Sequence, residues 1–371
     1  MTLVASLPLA HRPTLASAEA TLFQNDPDFR PIHYLGSKLR VLEQVVALVD
    51  SLAPRSTVAC DLFTGSGTVA WALSRTRPVI AADIQEYSRV LCSATLCGAD
   101  RRYRPGGSHA VAPHDSALHT RLLRALSPLI DYEERCIERA IAGDADQLCE
   151  LIEEGSLFGY LQNGERGHSK GLGEVMAEAA GRLVHSALHD SPASTVSRYF
   201  GGSYFSFRQA ADLDYALELA HQAERDHRDV LLAAVLSTAS DVVNTVGQHF
   251  AQPIQPRRGD GTPKKHLLRK IRRDRSLNVG TVLESWIHQY ASLPARPYRN
   301  EVRRGDYRDI LTVLPKEVGI VYADPPYTRD HYSRFYHVLE TMCLRDNPPI
   351  SKGSGKTQGR RGRGMYREER H

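Results

Sequence analysis

Four short segments of this chain have a strand-like pattern, and an aspartate ends or closely follows each one. The segments cover residues 57–61, 79–83, 298–303 and 319–323. The aspartates are Asp61, Asp83, Asp306 and Asp324. Short apolar runs that stop at turn-forming residues are typical of strands inside a sheet. The pattern therefore predicts a sheet with acidic side chains at its strand ends.

Helical spacing of apolar residues predicts the other elements. In residues 39–52, Leu42, Val45, Val46 and Val49 recur at intervals of three and four. Between residues 99 and 296 such patterns dominate, which predicts a large, mainly helical insertion. The predicted helices there and after it cover residues 117–157, 174–188, 206–222, 229–246 and 332–344, while residues 264–273 are predicted to form a basic helix or an arm.

A glycine-rich turn lies between the first two predicted strands. Asp61 ends the first strand, Gly65 and Gly67 follow, and Asp83 ends the second strand 22 residues after Asp61. Glycine permits backbone angles and a close ligand approach that a side chain would block. This order of strand, loop, helix, strand and acid is the layout of a nucleotide-type site. A third glycine and a Gly-Lys-[Ser/Thr] sequence are both missing, so a single nucleoside is favoured over a dinucleotide or a P-loop phosphate.

Lys38 stands at the start of the helix predicted for residues 39–52, after a tight turn at Gly36 and Ser37. A cation in the first turn of a helix opposes the helix dipole. An anionic ligand, such as a cofactor carboxylate or a DNA phosphate, would explain this lysine. An exposed lysine without a ligand is the alternative.

The sequence Asp324-Pro325-Pro326-Tyr327 predicts a stiff, extended turn at a strand end. Proline cannot extend a strand ladder, and it biases the preceding residue toward an extended backbone. The carboxylate and a prolyl carbonyl can then accept from one small donor, with the tyrosine as a flat wall beside them. The amino group of a flipped nucleobase fits that arrangement. An ordinary turn with a surface tyrosine is the alternative.

Positive charge is concentrated in two stretches of the chain. Residues 257–275 contain nine Lys/Arg against two Asp, and residues 345–371 contain eight Lys/Arg against three acids. Because the net charge is only +4, the remainder is acidic. Concentrated cations favour a polyanion partner over a solvated loop. The candidate phosphate contacts are Arg257, Arg258, Lys264, Lys265, Arg269, Lys270, Arg272 and Arg273.

Composition excludes several classes of protein. With 42% hydrophobic and 24% charged residues, the chain is of ordinary globular type. We find no apolar run of the ~18 residues that a membrane span needs, and residues 1–30 read as an arm rather than a signal peptide. The six cysteines form no Cys-x-x-Cys pair. The sequence therefore predicts no metal site, no membrane association and a cytoplasmic location.

Residues 199–207 are unusually aromatic, with the sequence Tyr-Phe-Gly-Gly-Ser-Tyr-Phe-Ser-Phe. They either stack on bases or plug the helices of the insertion onto the sheet. We favour the plug, because apolar residues in such segments are more often core than site.

Together these motifs resemble those of the Dam-type DNA adenine-specific methyltransferases, in the same order along the chain. The matching segments are Tyr34-Leu-Gly36-Ser37-Lys38, Asp61-Leu-Phe63-Thr-Gly65-Ser-Gly67, Ala82-Asp83-Ile84, Gly305-Asp306-Tyr307 and Asp324-Pro-Pro-Tyr327. The resemblance covers residues 31–98 and 300–345. It implies an α/β fold, with a Rossmann-like S-adenosylmethionine-dependent methyltransferase sheet and a large, mainly helical inserted domain.

The resemblance also implies a role for each site residue. The methionine part of S-adenosylmethionine would lie near Tyr34, Gly36 and Lys38, and its middle near Asp61, Phe63, Gly65 and Gly67. The ribose hydroxyls would bind Asp83, next to Ile84, and the cofactor adenine would bind Asp306, next to Tyr307. The target adenine of double-stranded DNA would be held by Asp324, Pro325, Pro326 and Tyr327. Methyl transfer would then be direct, without a metal or a covalent enzyme intermediate.

These observations divide the chain into four predicted parts. Residues 1–30 form an arm, residues 31–98 with 297–345 the catalytic domain, residues 99–296 the helical insertion that recognises DNA, and residues 346–371 a basic tail. A restriction-modification or phage-defence role follows from the family. The alternatives are methylation of cytosine amino groups or of RNA, and a DNA-recognition subunit of a split methyltransferase.

The predicted sheet has fewer strands than the family normally builds, and the 27 residues from Arg345 onward contain no apolar run that could add more. An incomplete sheet would expose an edge and an apolar face. We therefore expect a second polypeptide to complete it. A truncated chain, or strands supplied by the insertion in another order, are the alternatives.

Overall fold

The computed structural model describes residues 29–33, 38–98, 117–163, 168–248, 250, 253–325 and 332–349. Its described residues contain one sheet of four parallel strands, in the order β3-β2-β1-β4. The strands are β1 (Val58–Asp61), β2 (Val79–Asp83), β3 (Glu301–Arg304) and β4 (Val318–Tyr322). All four predicted strands are confirmed, with ends shifted by three residues or fewer.

The parallel register places the carboxyl ends of the strands on one edge of the sheet. Asp61 pairs with Ala81 on β2 and with Tyr322 on β4, while Asp83 pairs with Arg304 on β3. In open parallel sheets, ligands bind outside this edge. The strand-end aspartates of the sequence are therefore brought to the side of the sheet where a ligand site is expected.

Three helices cover one face of the sheet: α1 (Leu42–Leu52), α2 (Thr68–Leu73) and α3 (Glu86–Leu96). Alternate strand residues point to this face, and Ala59 and Ala81 pack there with Val45 and Val49. On the opposite face, Cys60, Leu62, Ile80 and Ala82 form a smaller cluster with Ile310.

After α3, nine further helices lie between β2 and β3 in the described residues. They are α4 (Ala117–Ile141), α5 (Asp146–Glu154), α6 (Leu157–Asn163), α7 (Lys170–His185), α8 (Thr195–Tyr199), α9 (Phe207–Gln222), α10 (Arg225–Val242), α11 (Lys265–Arg275) and α12 (Val279–Ala291). Three 3-10 turns cover Lys38–Val41, Pro192–Ser194 and Val246–Gln248. The helical pattern predicted for residues 117–157 is interrupted, because Gly143 adopts a φ of 111° between α4 and α5.

Two further helices flank the last strand: α13 (Tyr307–Thr312) precedes β4, and α14 (Tyr332–Leu344) follows it. Within α14, Tyr336 has non-helical angles that kink the helix. Tyr336 packs on Tyr87 of α3 with ring centroids 5.3 Å apart. The last described helix is thereby fixed to the helix that begins after β2.

The aromatic segment 199–207 is buried, as the plug interpretation predicts, but it packs among helices and not against the strands of the sheet. Tyr199 is 1% exposed, and Phe200, Tyr204, Phe205 and Phe207 are fully buried. Phe200 and Tyr204 also contact His337 of α14 edge to face, so the segment joins the central helices to α14. None of the described helices is both long enough and apolar enough to cross a lipid bilayer.

Candidate active site

Three carboxylates lie close together at the carboxyl ends of adjacent strands. Asp61 ends β1, Asp83 ends β2, and Asp324 follows β4 by two residues. Burial is the main cause that raises the pKa of Asp61 to about 7, and the charges of Asp83 and Asp324 add to it. A hydrogen bond from the Ala70 amide acts in the opposite direction. The parallel register of β1 with β2 and β4 therefore brings the motifs around residues 61, 83 and 324 to one edge of the sheet.

Asp61 has one bonded and one unbonded carboxylate oxygen. The backbone N–H of Ala70, in the first turn of α2, donates to Oδ2 over 3.0 Å. Its other oxygen, Oδ1, is buried without a hydrogen-bond partner among the described residues. A buried acceptor left unpaired costs roughly 1–3 kcal/mol. A ligand that carries a donor or a positive charge would remove that cost.

The glycine turn is tied to the end of β2. Gly65 donates its backbone N–H to Asp83 Oδ2 over 2.9 Å, and Thr64 donates its hydroxyl to the Ala82 carbonyl over 2.8 Å. Gly67 has a φ of 83°, and a Cβ there would lie 3.1 Å from Cys92 Sγ. Glycine is therefore required at residue 67 by both backbone angle and space.

Asp83 is held by the backbone on both sides. Oδ1 accepts from the Gln85 amide over 2.9 Å, opposite the bond from Gly65. Burial raises the pKa of Asp83, while the hydrogen bonds from Gln85 and Gly65 oppose the shift. Ser88 and the Ile84 backbone also lower this pKa through hydrogen bonds, so the carboxylate lies among donors at the end of β2.

Apolar side chains adjoin these acids. The rings of Phe63 and Tyr307 lie 5.4 Å apart, and Ile84 and Tyr307 are each 43% exposed. Large apolar side chains left open beside charged groups are typical of ligand sites. This patch could pack against a flat base.

Asp306 is placed at the amino end of α13, where it caps the helix. Its side chain accepts from the Arg308 amide over 2.9 Å and forms a salt bridge of 3.0 Å with the Arg308 guanidinium. A ligand amino group at Asp306 would share that carboxylate with Arg308.

Lys38 pairs with Asp324, with Nζ 2.6 Å from Oδ2. The two side chains are 25% and 31% exposed, so the pair is partly open to solvent. The structure thus brings the predicted cofactor lysine to the predicted base-binding acid. Pro325 is exposed. Four predicted site residues lie outside the described residues: Tyr34, Gly36, Pro326 and Tyr327.

The eight candidate phosphate contacts divide into two groups. Some are engaged inside the protein: Arg257 pairs with Asp146 and Glu153, Lys270 and Arg273 pair with Asp274, and Lys264 donates to the Gln255 carbonyl. Others, Lys265, Arg269 and Arg272, are exposed and form no salt bridge within the described residues. Arg258 is also exposed.

The exposed group lies on one face of α11. Lys265, Arg269 and Arg272 are spaced by four and three residues, which places them along one side of a helix. The buried residues of the helix, Ile271, Asp274 and Arg275, lie outside this stripe, with Asp274 opposite to it. We call Lys265, Arg269 and Arg272 the α11 cationic face.

Arg304 and Glu340 are site neighbours that sequence reasoning did not identify. Arg304 ends β3 and donates through Nε to the Ile84 carbonyl over 3.1 Å. Glu340 of α14 accepts from the amides of Glu86 and Tyr87. Neither residue belongs to a local motif, so a pattern along the chain gives no signal for them.

S-adenosylmethionine fits this arrangement of side chains. Its sulfonium and amino groups are positive, which suits the unpaired oxygen of Asp61. The turn at Gly65 and Gly67 permits close approach, Asp83 can accept from the ribose, and the open side chains of Ile84 and Tyr307 suit the adenine.

Comparison with known proteins agrees with the motifs. Residues 34–104 match the family described as D12 class N6 adenine-specific DNA methyltransferase. This match spans 71 of the 371 residues; it is consistent with the predicted Dam-type family and indicates an adenine-specific DNA methyltransferase. Neither the curated proteins nor the solved structures include a match to this chain.

Proposed function

Residues 34–104 match the family described as D12 class N6 adenine-specific DNA methyltransferase, and from that match we propose the reaction of this chain. The protein transfers the methyl group of S-adenosylmethionine to the 6-amino group of an adenine flipped out of duplex DNA. The observation that carries the proposal is the placement of Asp61, Asp83 and Asp324 at one edge of the sheet, at the carboxyl ends of three neighbouring parallel strands.

The cofactor would lie across the ends of β1 and β2. Asp83 would accept from the ribose, Ile84 and Tyr307 would pack against the adenine beside Asp306, and Asp61 would face the positive part. When bound, S-adenosylmethionine supplies a methyl group on a positively charged sulfur, which keeps the electron pair of the bond that breaks. Because Gly65 and Gly67 have no side chains, the backbone of their turn would lie close to the cofactor.

The target adenine would lie beside Asp324. Its amino group would donate to the Asp324 carboxylate and the Pro325 carbonyl, so that the nitrogen lone pair is less delocalised into the ring. Asp324 or water would accept the amino proton that is released when the nitrogen takes the methyl group. Lys38 holds the Asp324 carboxylate in place, and Tyr327 would stack on the base. Holding both reactants supplies much of the rate.

Duplex DNA is the proposed substrate, and the central helices are the proposed recognition region. We keep residues 31–98 with 297–345 as the catalytic domain, 99–296 as the insertion, and 1–30 and 346–371 as the arm and tail. The exposed α11 cationic face supports phosphate contact. Arg257, Lys270 and Arg273 are engaged within the protein, so we assign them a smaller part in DNA binding.

A second polypeptide is proposed at the edge of β4. Among the described residues, β4 pairs with β1 on one side and with no strand on the other. The opposite edge, β3, carries charged residues that discourage further pairing, with Arg303 bonded to Glu301. β4 instead presents Val318, Ile320 and Val321, all partly exposed. This contrast favours β4 as an edge that another strand covers.

The biological setting is proposed from the family alone. A restriction-modification or phage-defence system would use such a methyltransferase to mark DNA at fixed sites, together with a cognate nuclease or defence complex. A cytoplasmic location remains a prediction, which the six free cysteines support. Methylation of cytosine amino groups or of RNA stays the alternative, because both present a similar donor to Asp324.

The test is methyl incorporation with the full chain. Purified protein is incubated with labelled S-adenosylmethionine and duplex DNA, and the modified nucleoside is identified by mass spectrometry. N6-methyladenosine in its deoxy form is expected. Label on cytosine, or label on RNA alone, would replace the proposed target, and a complete absence of transfer with bound cofactor would favour a recognition subunit.

A further inference from the structure

Glu340 places a buried carboxylate on the amino end of α3. Its side chain is 3% exposed, Oε1 accepts from the Glu86 amide over 3.1 Å, and Oε2 accepts from the Tyr87 amide over 3.0 Å. The first amides of a helix have no partner within the helix, and a negative charge there is stabilised by the helix dipole. The local N-cap, Gln85, makes no side-chain cap. A residue from the far end of the chain therefore caps α3.

The capped helix begins immediately after the proposed ribose acid. Asp83 ends β2, and its Oδ1 accepts from the Gln85 amide, which directly precedes α3. Arg304 adds a second link, since its Nε donates to the Ile84 carbonyl and its Nη2 lies 3.4 Å from Glu340 Oε1. The turn from residue 83 to 87 is thus held from α14 and from β3.

The same glutamate lies on the helix that follows Asp324 and Pro325. Burial of Val338, Leu339 and Met342, together with the Tyr336–Tyr87 contact, fixes α14 on the central helices and on α3. The carboxylate of Glu340 therefore joins the helix on the base-binding side of the site to the turn on the cofactor side.

We propose that Glu340 is a positioning residue for cofactor binding, which acts through the cap on α3 and touches neither reactant. This inference rests on the proposed function. A glutamine at residue 340 keeps one acceptor oxygen but turns an NH2 group toward the second backbone N–H. The turn that carries Asp83 and Ile84 would then lose its fixed position.

The experiment compares Glu340→Gln with the neighbouring Thr341→Val in the full chain. Thr341 is buried, and its hydroxyl has no hydrogen-bond partner in the described part of the chain, so its change tests packing alone. We expect Glu340→Gln to weaken S-adenosylmethionine affinity about tenfold by calorimetry and to leave DNA affinity within twofold. Amide exchange at Glu86 and Tyr87 should accelerate at least tenfold, and Thr341→Val should change none of these.

Arg304→Gln is the second variant, since its exposed side chain can be replaced without opening the core. It should weaken cofactor affinity about threefold. Faster exchange with unchanged cofactor affinity in Glu340→Gln would make the cap purely structural and overturn the inference alone. Amide exchange at Glu86 and Tyr87 that is unchanged in Glu340→Gln would also overturn the inference. Failure of the wild-type protein to bind the cofactor would contradict the proposed function, and the inference with it.

Discussion

The ammonium of Lys38 lies 2.6 Å from Oδ2 of Asp324, which brings the first and the last of the site motifs into contact. The lysine precedes the first helix, and the aspartate follows the last described strand. The pair is only partly exposed, so solvent screens its attraction less than it would screen that of a surface ion pair. The two residues therefore have to be considered as one unit in any account of the reaction.

Asp324→Ala should abolish methylation and leave cofactor binding nearly unchanged. The acid faces the target base in our proposal, and removal of its carboxylate deprives the amino group of its acceptor. Methyl incorporation into duplex DNA and calorimetric affinity for S-adenosylmethionine measure the two effects. A methylation rate within a few-fold of wild type would show that Asp324 has another role.

Asp83→Ala should weaken S-adenosylmethionine binding by roughly 1.5–3 kcal/mol, the value of a hydrogen bond to a charged group. The substitution also frees the Gly65 and Gln85 amides, which bond to Asp83 in this structure. Calorimetry on the variant measures the change. Asp309→Ala, an exposed acid on α13, is the matched control, and equal affinity for Asp83→Ala and this control would remove Asp83 from the site.

Neutralisation of the α11 cationic face, by Lys265→Gln, Arg269→Gln and Arg272→Gln together, should weaken DNA binding and flatten its salt dependence. Each lost phosphate contact reduces the log–log slope by about 0.9. Target preference should not change, because phosphate contacts position the protein and do not specify sequence. DNA affinity measured over a range of salt concentrations tests this.

The control for that triple variant removes the same charge elsewhere. Lys170, Arg225 and Lys316 are exposed and lie outside α11. Their replacement by glutamine changes the net charge equally. If both triple variants alter the salt slope to the same extent, the effect is one of overall charge and α11 has no special contact with DNA.

The edge of β4 gives a prediction about assembly. If a second polypeptide pairs there, the purified 371-residue chain alone should unfold at a low temperature and methylate DNA poorly. Addition of the partner should restore both. Light scattering, thermal unfolding and methyl incorporation report the three properties. A stable, active monomer would contradict the idea of a partner strand.

Protonation of Asp61 should appear in the pH dependence of stability. The pKa of Asp61 is about 7 in the folded protein and near 3.8 in the unfolded chain. At a pH between these two values, the folded state retains a proton on Asp61 that the unfolded state has lost. The contribution of Asp61 to the free energy of unfolding therefore falls as pH rises from about 4 to 7 and is constant above pH 7. The slope approaches about 1.4 kcal/mol per pH unit.

Asp61→Asn removes that titration. The unfolding free energy of the variant minus that of the wild type should therefore rise as pH rises from 5 to 7. Other titrating groups, including Asp214, whose pKa burial also raises to about 7, contribute equally to both proteins and cancel. Urea unfolding at several pH values provides the measurement. A difference that stays constant over this range would mean that Asp61 is ionised in the fold.

Local chemistry in the sequence predicted the four strands and most of the long helices, but not α12 or α13, and its motifs pointed to the family that residues 34–104 match. Strand ends at Asp61 and Asp83 followed from short apolar runs, and α14 was predicted with the bounds 332–344 that the structure has. The reason is that periodicity and turn-forming residues act over a few neighbouring positions. The same holds for Gly67, where a positive φ requires glycine whatever surrounds it.

Contacts between distant segments were decided only by the tertiary structure. The sequence placed Lys38 beside the cofactor, whereas the fold pairs it with Asp324, and it treated all eight cations as equivalent, whereas the fold engages Arg257 with Asp146 and Glu153. The cap on α3 by Glu340 likewise depends on how α14 packs. Such pairs form because parallel strands and buried helices bring separate segments together. A pattern of neighbouring residues contains no information on the distance in space between segments that are far apart in the sequence.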